Sequence, residues 1–296
     1  MTGNVVMPPE VELWVKRKVP GMEFIADAPS PRRPSSRVWR VHLRTHSVYV
    51  KVSRNAIRYQ HEVYAYRHAA AALGAGHAPR LLDTDPRLGV IMMSALPGAR
   101  VQGLTLRTAQ ERSAHSLAGG LLRRWHELER PGPAVRARAI ADVDEKVDAA
   151  ASHVSQVSHL LSDRHRSGIE RAGQVLRLLA PYLPVGFRHG DFQARNWQWD
   201  GAARVLGLFD FENSGSGITV EDFVWLAADI WPSQPHLQVA CQAGYGRDFS
   251  ADEARALDAY SVLAALDDLQ WAHRNADGAE VARAVSILER VSPRLS

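Results

Sequence analysis

Between residues 185 and 210 a chain that otherwise reads as helical from Thr108 onward breaks into three short β-patterned runs, and this break constrains the fold more than any other feature. Val185-Gly186-Phe187-Arg188 reads as a strand that ends in the turn His189-Gly190-Asp191. Trp197-Gln198-Trp199 and Val205-Leu206-Gly207-Leu208-Phe209 read as the arms of a hairpin turning at Asp200-Gly201, a strong turn pair. Folded that way, the hairpin carries Asn196, just before its first arm, next to Asp210, just after its second. One carboxylate (Asp191) sits on a tight turn, an amide (Asn196) follows five residues later, and a second carboxylate (Asp210) follows fourteen residues after that.

This layout suits phosphoryl transfer. That reaction needs a hydroxyl held in line and cations that neutralise charge on the moving phosphate. Asp191 is placed to orient and deprotonate the hydroxyl. Asn196 and Asp210 are hard oxygen donors suited to Mg²⁺. The order Asp, Asn, Asp is also that of the kinase catalytic loop and metal motif. With its His-Gly-Asp turn, the segment resembles the aminoglycoside phosphotransferase and choline kinase-like family, and the resemblance runs over about residues 38–230.

The front of the chain agrees. Residues 9–19 read as a short helix between Pro9 and Pro20-Gly21. Residues 38–43 and 48–52 read as strands joined by a turn at residues 44–47, and residues 57–73 as a helix that Gly74 and Gly76 end. Lys51, one of only four lysines, lies in Val-Tyr-Val-Lys-Val and resembles the kinase strand lysine that holds nucleotide phosphates, with Glu62 on the next helix as its ion-pair partner. The run from Gly89 to Gly98 reads as a strand entering an extended connector. The resemblance makes it an interlobe linker, with Met93 guarding the pocket and the backbone of Ser94 and Leu96 facing a purine. A glycine-rich phosphate cover is missing: residues 28–36 hold three prolines and no glycine. In the back lobe Asp222 is either a helix-start acid or the family's second buried Asp, which ties down the catalytic loop. His126 and His189 read as structural, and Glu212 as a possible outer carboxylate.

Composition excludes other classes. No apolar run approaches a membrane span. The lone Cys241 rules out an intrachain disulfide and fits a reducing cytoplasm, and the charged N-terminus is not expected to be a secretory signal. No nucleic-acid module accompanies the basic stretch at residues 32–40. Residues 1–54 carry ten Lys and Arg against four acids, net +6, and residues 207–296 six Arg against fourteen acids, net −8. A triphosphate and a cationic acceptor fit that division. Asp267, Asp268 and Trp271, on one predicted helix, are the candidates for acceptor contact.

The expectation is an α+β, protein-kinase-like bilobal fold. A small N-terminal β-sheet lobe, residues 1–96, binds nucleotide. A larger, mainly helical lobe, residues 97–296, carries catalysis and the acceptor. The resemblance implies Mg²⁺-dependent transfer from ATP or GTP to a hydroxylated small molecule, such as an antibiotic met in resistance or self-protection. A metabolic kinase of a small alcohol or amino sugar is the alternative, and a non-catalytic nucleotide-binding scaffold ranks last.

Overall fold

The computed structural model describes residues 6–27 and 37–295. Two compact units result. One runs up to Leu104 and takes in Ala194–Ser214, and the other comprises Thr105–Gln193 and Gly215–Ser296.

The first unit is built on an antiparallel sheet of β1 (Phe24–Asp27), β2 (Arg37–His42), β3 (Ser47–Val52), β4 (Leu81–Asp85) and β5 (Val90–Ser94), in the order β1-β2-β3-β5-β4. Period-2 alternation sends Trp39, Val41, Val48, Val50, Val90 and Met92 to one face. There they meet Val11, Trp14 and Val15 of α1 (Pro9–Lys18) in a single apolar core. The same alternation puts Lys51 on the opposite face with Ile91 and Met93, which are its cross-strand neighbours or in step with them. α2 (Ala56–Leu73) packs beside β4 and β5.

A second, three-stranded sheet joins β6 (Ala99–Arg100), β8 (Trp197–Asp200) and β9 (Val205–Leu208). This pairing explains why the division differs from a single cut at residue 96. Ala99 and Arg100 pair with Trp199 and Gln198, so the hairpin at 194–214 belongs with the sheet unit although it lies late in the chain. The hairpin turn also differs from the expected two-residue form. Asp200 is still paired with Val205, and residues 201–204 make the loop. The Asp200 carboxylate accepts from the amides of Ala202 and Ala203 at 3.0 and 3.1 Å, and Arg204 takes a left-handed φ of 55°. A side-chain-capped four-residue turn has won over the Asp-Gly turn.

The second unit contains α3 (Thr108–His126), α4 (Pro133–Gln156), α5 (Asp163–Leu179), α6 (Pro235–Tyr245), α7 (Ala251–Arg274) and α8 (Gly278–Val291). β7 (Val185–Arg188) pairs antiparallel with β10 (Gly215–Ile218) within it. The expected class, a small sheet unit and a larger helical one, is the class observed. Among the described residues no helix is long and apolar enough to cross a membrane.

α3 and α6 meet backbone to backbone. A Cβ on Gly119 would lie 2.0 Å from the Cys241 carbonyl oxygen, and one on Gly244 would lie 1.8 Å from that of Ser116. Main-chain atoms cannot step aside as a side-chain tip can. Gly244→Ala is therefore expected to destabilise the helical unit by about 2–3 kcal/mol, read as a lowered midpoint in thermal unfolding. An unchanged midpoint would mean that these helices cross elsewhere.

Candidate active site

In the sheet unit the site grows from Lys51. Strand alternation and α2 enclose its side chain, which is only 4% exposed. Burying an ammonium demands partners, and three carboxylates supply them. Lys51 Nζ lies 3.0 Å from Glu62 Oε1, 2.6 Å from Asp210 Oδ1 and 3.0 Å from Glu212 Oε2. Glu62 comes from α2 and is fully buried; Asp210 and Glu212 follow β9. Arg58 Nη1, one helical turn before Glu62, donates to Glu212 Oε1 at 2.9 Å.

Three carboxylates face Lys51, and the ionisations respond to them. Burial alone would lower the Lys51 pKa, but Asp210, Glu62 and Glu212 outweigh it and hold the ammonium well above its ordinary range. Burial pushes the Glu62 carboxyl up to about 7; Asp210 and Glu212 add to the rise and Lys51 opposes it. A carboxyl raised in the folded state contributes stability at low pH that is lost as pH climbs through about 7. Glu62 alone thus makes the protein less stable between its ordinary value of 4.5 and about 7, unless further positive charge enters the cluster.

Asp210 has a φ of 67°, a conformation few non-glycine residues adopt and one that concentrates at functional positions. Its amide donates to the Tyr66 hydroxyl at 3.4 Å. One residue earlier, the Phe209 amide donates to the Asn196 carbonyl at 3.1 Å, so the hairpin brings Asn196 and Asp210 together as its register requires. Asn196 is buried and its main chain is tied to the residue before Asp210; a side-chain amide and a carboxylate are both hard oxygen donors of the kind a divalent cation takes. By its chemistry this pair of donors fits Mg²⁺.

Met93 is buried on the Lys51 face of β5. The Ser94 amide donates to the Arg80 carbonyl at 2.9 Å, and its hydroxyl accepts from the Arg80 amide at 2.9 Å. Leu96 points its side chain at Gly207, where a Cβ would come within 2.7 Å of it. The Ser94 side chain is thus engaged by Arg80 and the Leu96 side chain packs at Gly207. The glycine-free stretch at residues 28–36, expected over the phosphates, lies outside the described residues.

In the helical unit the site is the turn after β7. Gly190 has a φ of 77°, which glycine adopts without strain. Asp222 resolves as the residue that ties the turn down. Its Oδ2 accepts the His189 amide at 2.8 Å and its Oδ1 the Gly190 amide at 2.7 Å. It lies in a 3₁₀ turn, Thr219–Phe223, and caps no helix. His126, at the end of α3, donates from Nε2 to Asp222 at 2.9 Å, and its Nδ1 is hydrogen-bonded with the Tyr245 hydroxyl at 2.8 Å. Burial would raise the Asp222 pKa; the hydrogen bond and charge of His126, with Arg188 and His189, hold it below the ordinary carboxylate range. Asp191 is buried beside the Gln193 amide, which donates to its Oδ1. The division between units falls just after Gln193, so Asp191 belongs to the helical unit and Asn196 to the sheet unit.

The acceptor residues expected on α7 do not form one group. Asp267 accepts from His153 Nδ1 of α4 at 2.7 Å, whereas Asp268 pairs with Arg283 of α8. Adjacent helical residues point about 100° apart, so the two carboxylates serve different neighbours. Trp271 shares the Asp267 side of the helix and is 39% exposed.

Glu212, Arg58 and Tyr66 were the residues that sequence reasoning undervalued. Glu212 had a signal in its spacing of two from Asp210, and Arg58 one in its i, i+4 relation to Glu62; Tyr66 had none.

A strand lysine clasped by a helix glutamate and by the aspartate after a hairpin defines the kinase-like phosphotransferase class. The sequence matches the phosphotransferase enzyme family over residues 32–275. The chain belongs to that family and is a phosphotransferase with an alcohol group as acceptor. Its fold is similar to that of the aminoglycoside phosphotransferase APH(2")-IIa in complex with gentamicin, at 17% identity, 97% coverage of both chains and a TM-score of 0.70. It is also similar to a choline/ethanolamine kinase family protein from Mesorhizobium loti, at 20% identity, 98% and 95% coverage and a TM-score of 0.69. A third similar structure is the GDP complex of aminoglycoside 2'-phosphotransferase-IIIa, at 13% identity, 96% and 98% coverage and a TM-score of 0.68. No curated protein matches the sequence significantly.

Proposed function

We propose that this chain transfers the γ-phosphate of ATP or GTP to a hydroxyl of an antibiotic or similar natural product, as a cytoplasmic resistance or self-protection enzyme. The observation that carries the reading is the Lys51 cluster. It sets a buried ammonium within 2.6–3.0 Å of Glu62 and Asp210, with Asn196 tied beside Asp210. In this reading Lys51, fixed by Glu62, holds the nucleotide phosphates. Met93 lines the base pocket, and the backbone of Ser94 and Leu96 meets the purine edge. Asn196 and Asp210 hold Mg²⁺, which when bound supplies positive charge to the transferring phosphate. Asp191 takes the acceptor proton. Similar folds carry GDP, gentamicin, or streptomycin together with ATP, which supports both the donor and the acceptor class.

A second reading, a kinase of a small alcohol, is favoured by the likeness to the choline/ethanolamine kinase family protein at 20% identity. One experiment separates the two. Purified protein is incubated with Mg²⁺, γ-labelled ATP or GTP, and a panel of hydroxylated antibiotics beside choline, ethanolamine and amino sugars. Label passing to an antibiotic supports the first reading. Label passing only to a small alcohol supports the second, and label staying on nucleotide with every acceptor counts against both.

The metal assignment is tested apart from turnover. Asp210→Asn removes a charged ligand to a hard cation, so nucleotide affinity is expected to lose most of its Mg²⁺ dependence. A binding titration with and without Mg²⁺ reads this. Equal Mg²⁺ dependence in parent and variant would take Asp210 out of the metal site.

A further inference from the structure

We propose that Arg188, Glu221 and Lys146 form a positioning network that fixes the entry of the catalytic turn, with Arg188 as the positioning residue. The inference rests on the reading of Asp191 as the base, because its value lies in where that carboxylate is held.

Arg188 is the last residue of β7 and immediately precedes His189-Gly190-Asp191. Its side chain lies along the neighbouring strand. Gly215 is its register partner, and Gly217 follows on the same face two residues later. A Cβ at Gly217 would come 2.2 Å from Arg188 Nε and 2.6 Å from Cζ. The bare Gly217 of β10 therefore leaves the space that the guanidinium occupies. Arg188 Nη1 donates to Glu221 Oε2. Lys146, the one lysine of the helical unit, donates from α4 to the other oxygen, Oε1. Its ammonium also lies 5.6 Å from the centre of the Tyr260 ring on α7. Both carboxylate oxygens of Glu221 are thus occupied by cations from different elements.

The sequence arrangement gives this cluster its mechanical meaning. Glu221 and Asp222 are consecutive in one 3₁₀ turn. Asp222 holds the amides of His189 and Gly190, and Glu221 holds the side chain of Arg188. Two adjacent acids grip three adjacent residues, one by its side chain and two by their backbone. The grip ends one residue before Asp191. A displacement of about 1 Å at a reacting group can cost about 10²-fold in rate, so slack at residue 188 passes directly to the carboxylate. Lys146 ties the grip to α4 and, across Tyr260, to α7.

Four variants test the network. Glu221→Gln keeps the shape and removes the charge, Arg188→Met removes the guanidinium, and Lys146→Met removes the outer tie. Gly217→Ala pushes Arg188 out of the space at residue 217 without touching any charge. The readouts are hydrogen exchange of the peptide Phe187–Phe192, Mg²⁺-nucleotide affinity, and nucleotide hydrolysis with water in place of the alcohol. For Glu221→Gln, Arg188→Met and Gly217→Ala, exchange in that peptide is expected to rise about tenfold, with α3 unchanged. The kcat of hydrolysis should fall about tenfold and nucleotide affinity stay within about twofold. Lys146→Met should shift exchange in the same direction by less. Joining Arg188→Met to Glu221→Gln should add no more than about twofold to either loss, because both act through one contact.

The proposal is overturned if exchange at Phe187–Phe192 stays at the parent level in Gly217→Ala and Glu221→Gln, or if the two losses add in full. Should Glu221→Gln fail to fold, Gly217→Ala and Lys146→Met decide the matter on the same readouts. If the parent protein neither transfers phosphate nor hydrolyses nucleotide, the functional reading fails, and the exchange arm still tests the network alone.

Discussion

Asp191→Ala is expected to lower turnover by about 10²–10⁴-fold, the range for loss of a positioned general base. The acceptor hydroxyl must give up its proton as its oxygen bonds to the γ-phosphorus and the bond to the β-phosphate oxygen breaks. Asp191 suits that task by placement: it is 7% exposed, and it follows a glycine in the left-handed region whose amide is held by Asp222. A carboxylate on a turn fixed at 2.7–2.8 Å by two backbone contacts keeps one position. Nucleotide affinity should change little, because the residues read as holding the phosphates and metal belong to the sheet unit. Steady-state turnover, with a separate nucleotide titration, checks both halves. Turnover within a few-fold of the parent would remove Asp191 from the role of base.

What the sequence made legible was whatever depends on short-range pattern. Lys51 and Glu62 were readable because one lies in an alternating strand and the other on the helix that follows, and that order alone sets them face to face. Asn196 and Asp210 were readable because a hairpin enforces their proximity whatever its turn, and it did so although the turn has four residues. Glu212 was harder. Its pairing with Lys51 and Arg58 depends on how the segment after β9 passes α2, which no local spacing encodes. The extent of the sheet unit was hidden for the same reason, since the pairing of Ala99 with Trp199 joins strands a hundred residues apart. The acceptor expectation on α7 treated two neighbouring acids as a pair. Asp267 and Asp268 are neighbours in sequence, but a helix turns one toward α4 and the other toward α8. Acidity summed over a segment does not say which way each carboxylate faces.

Asp222→Ala is expected to be the most damaging single change to stability. The Asp222 carboxylate accepts three hydrogen bonds, from the amides of His189 and Gly190 and from His126, whose far nitrogen is hydrogen-bonded with the Tyr245 hydroxyl. Removing it leaves two main-chain donors and an imidazole buried with nothing to receive them. Breaking such a buried charged contact costs about 3–5 kcal/mol, which for a unit of this size is about 10 °C in unfolding midpoint. Asp222→Asn separates charge from shape. An amide has one accepting oxygen where the carboxylate has two, so either the His189 and His126 donors or the Gly190 donor must face an NH₂ group. That variant should therefore lose stability almost as Asp222→Ala does. The same two variants predict different sites of damage from those in the Lys51 cluster. Exchange should rise at residues 189–191 and at the end of α3, whereas the β3–α2 ion pair stays protected. If Asp222→Asn unfolds at the parent midpoint, the carboxylate is not what holds the turn, and the bracing of Asp191 needs another source.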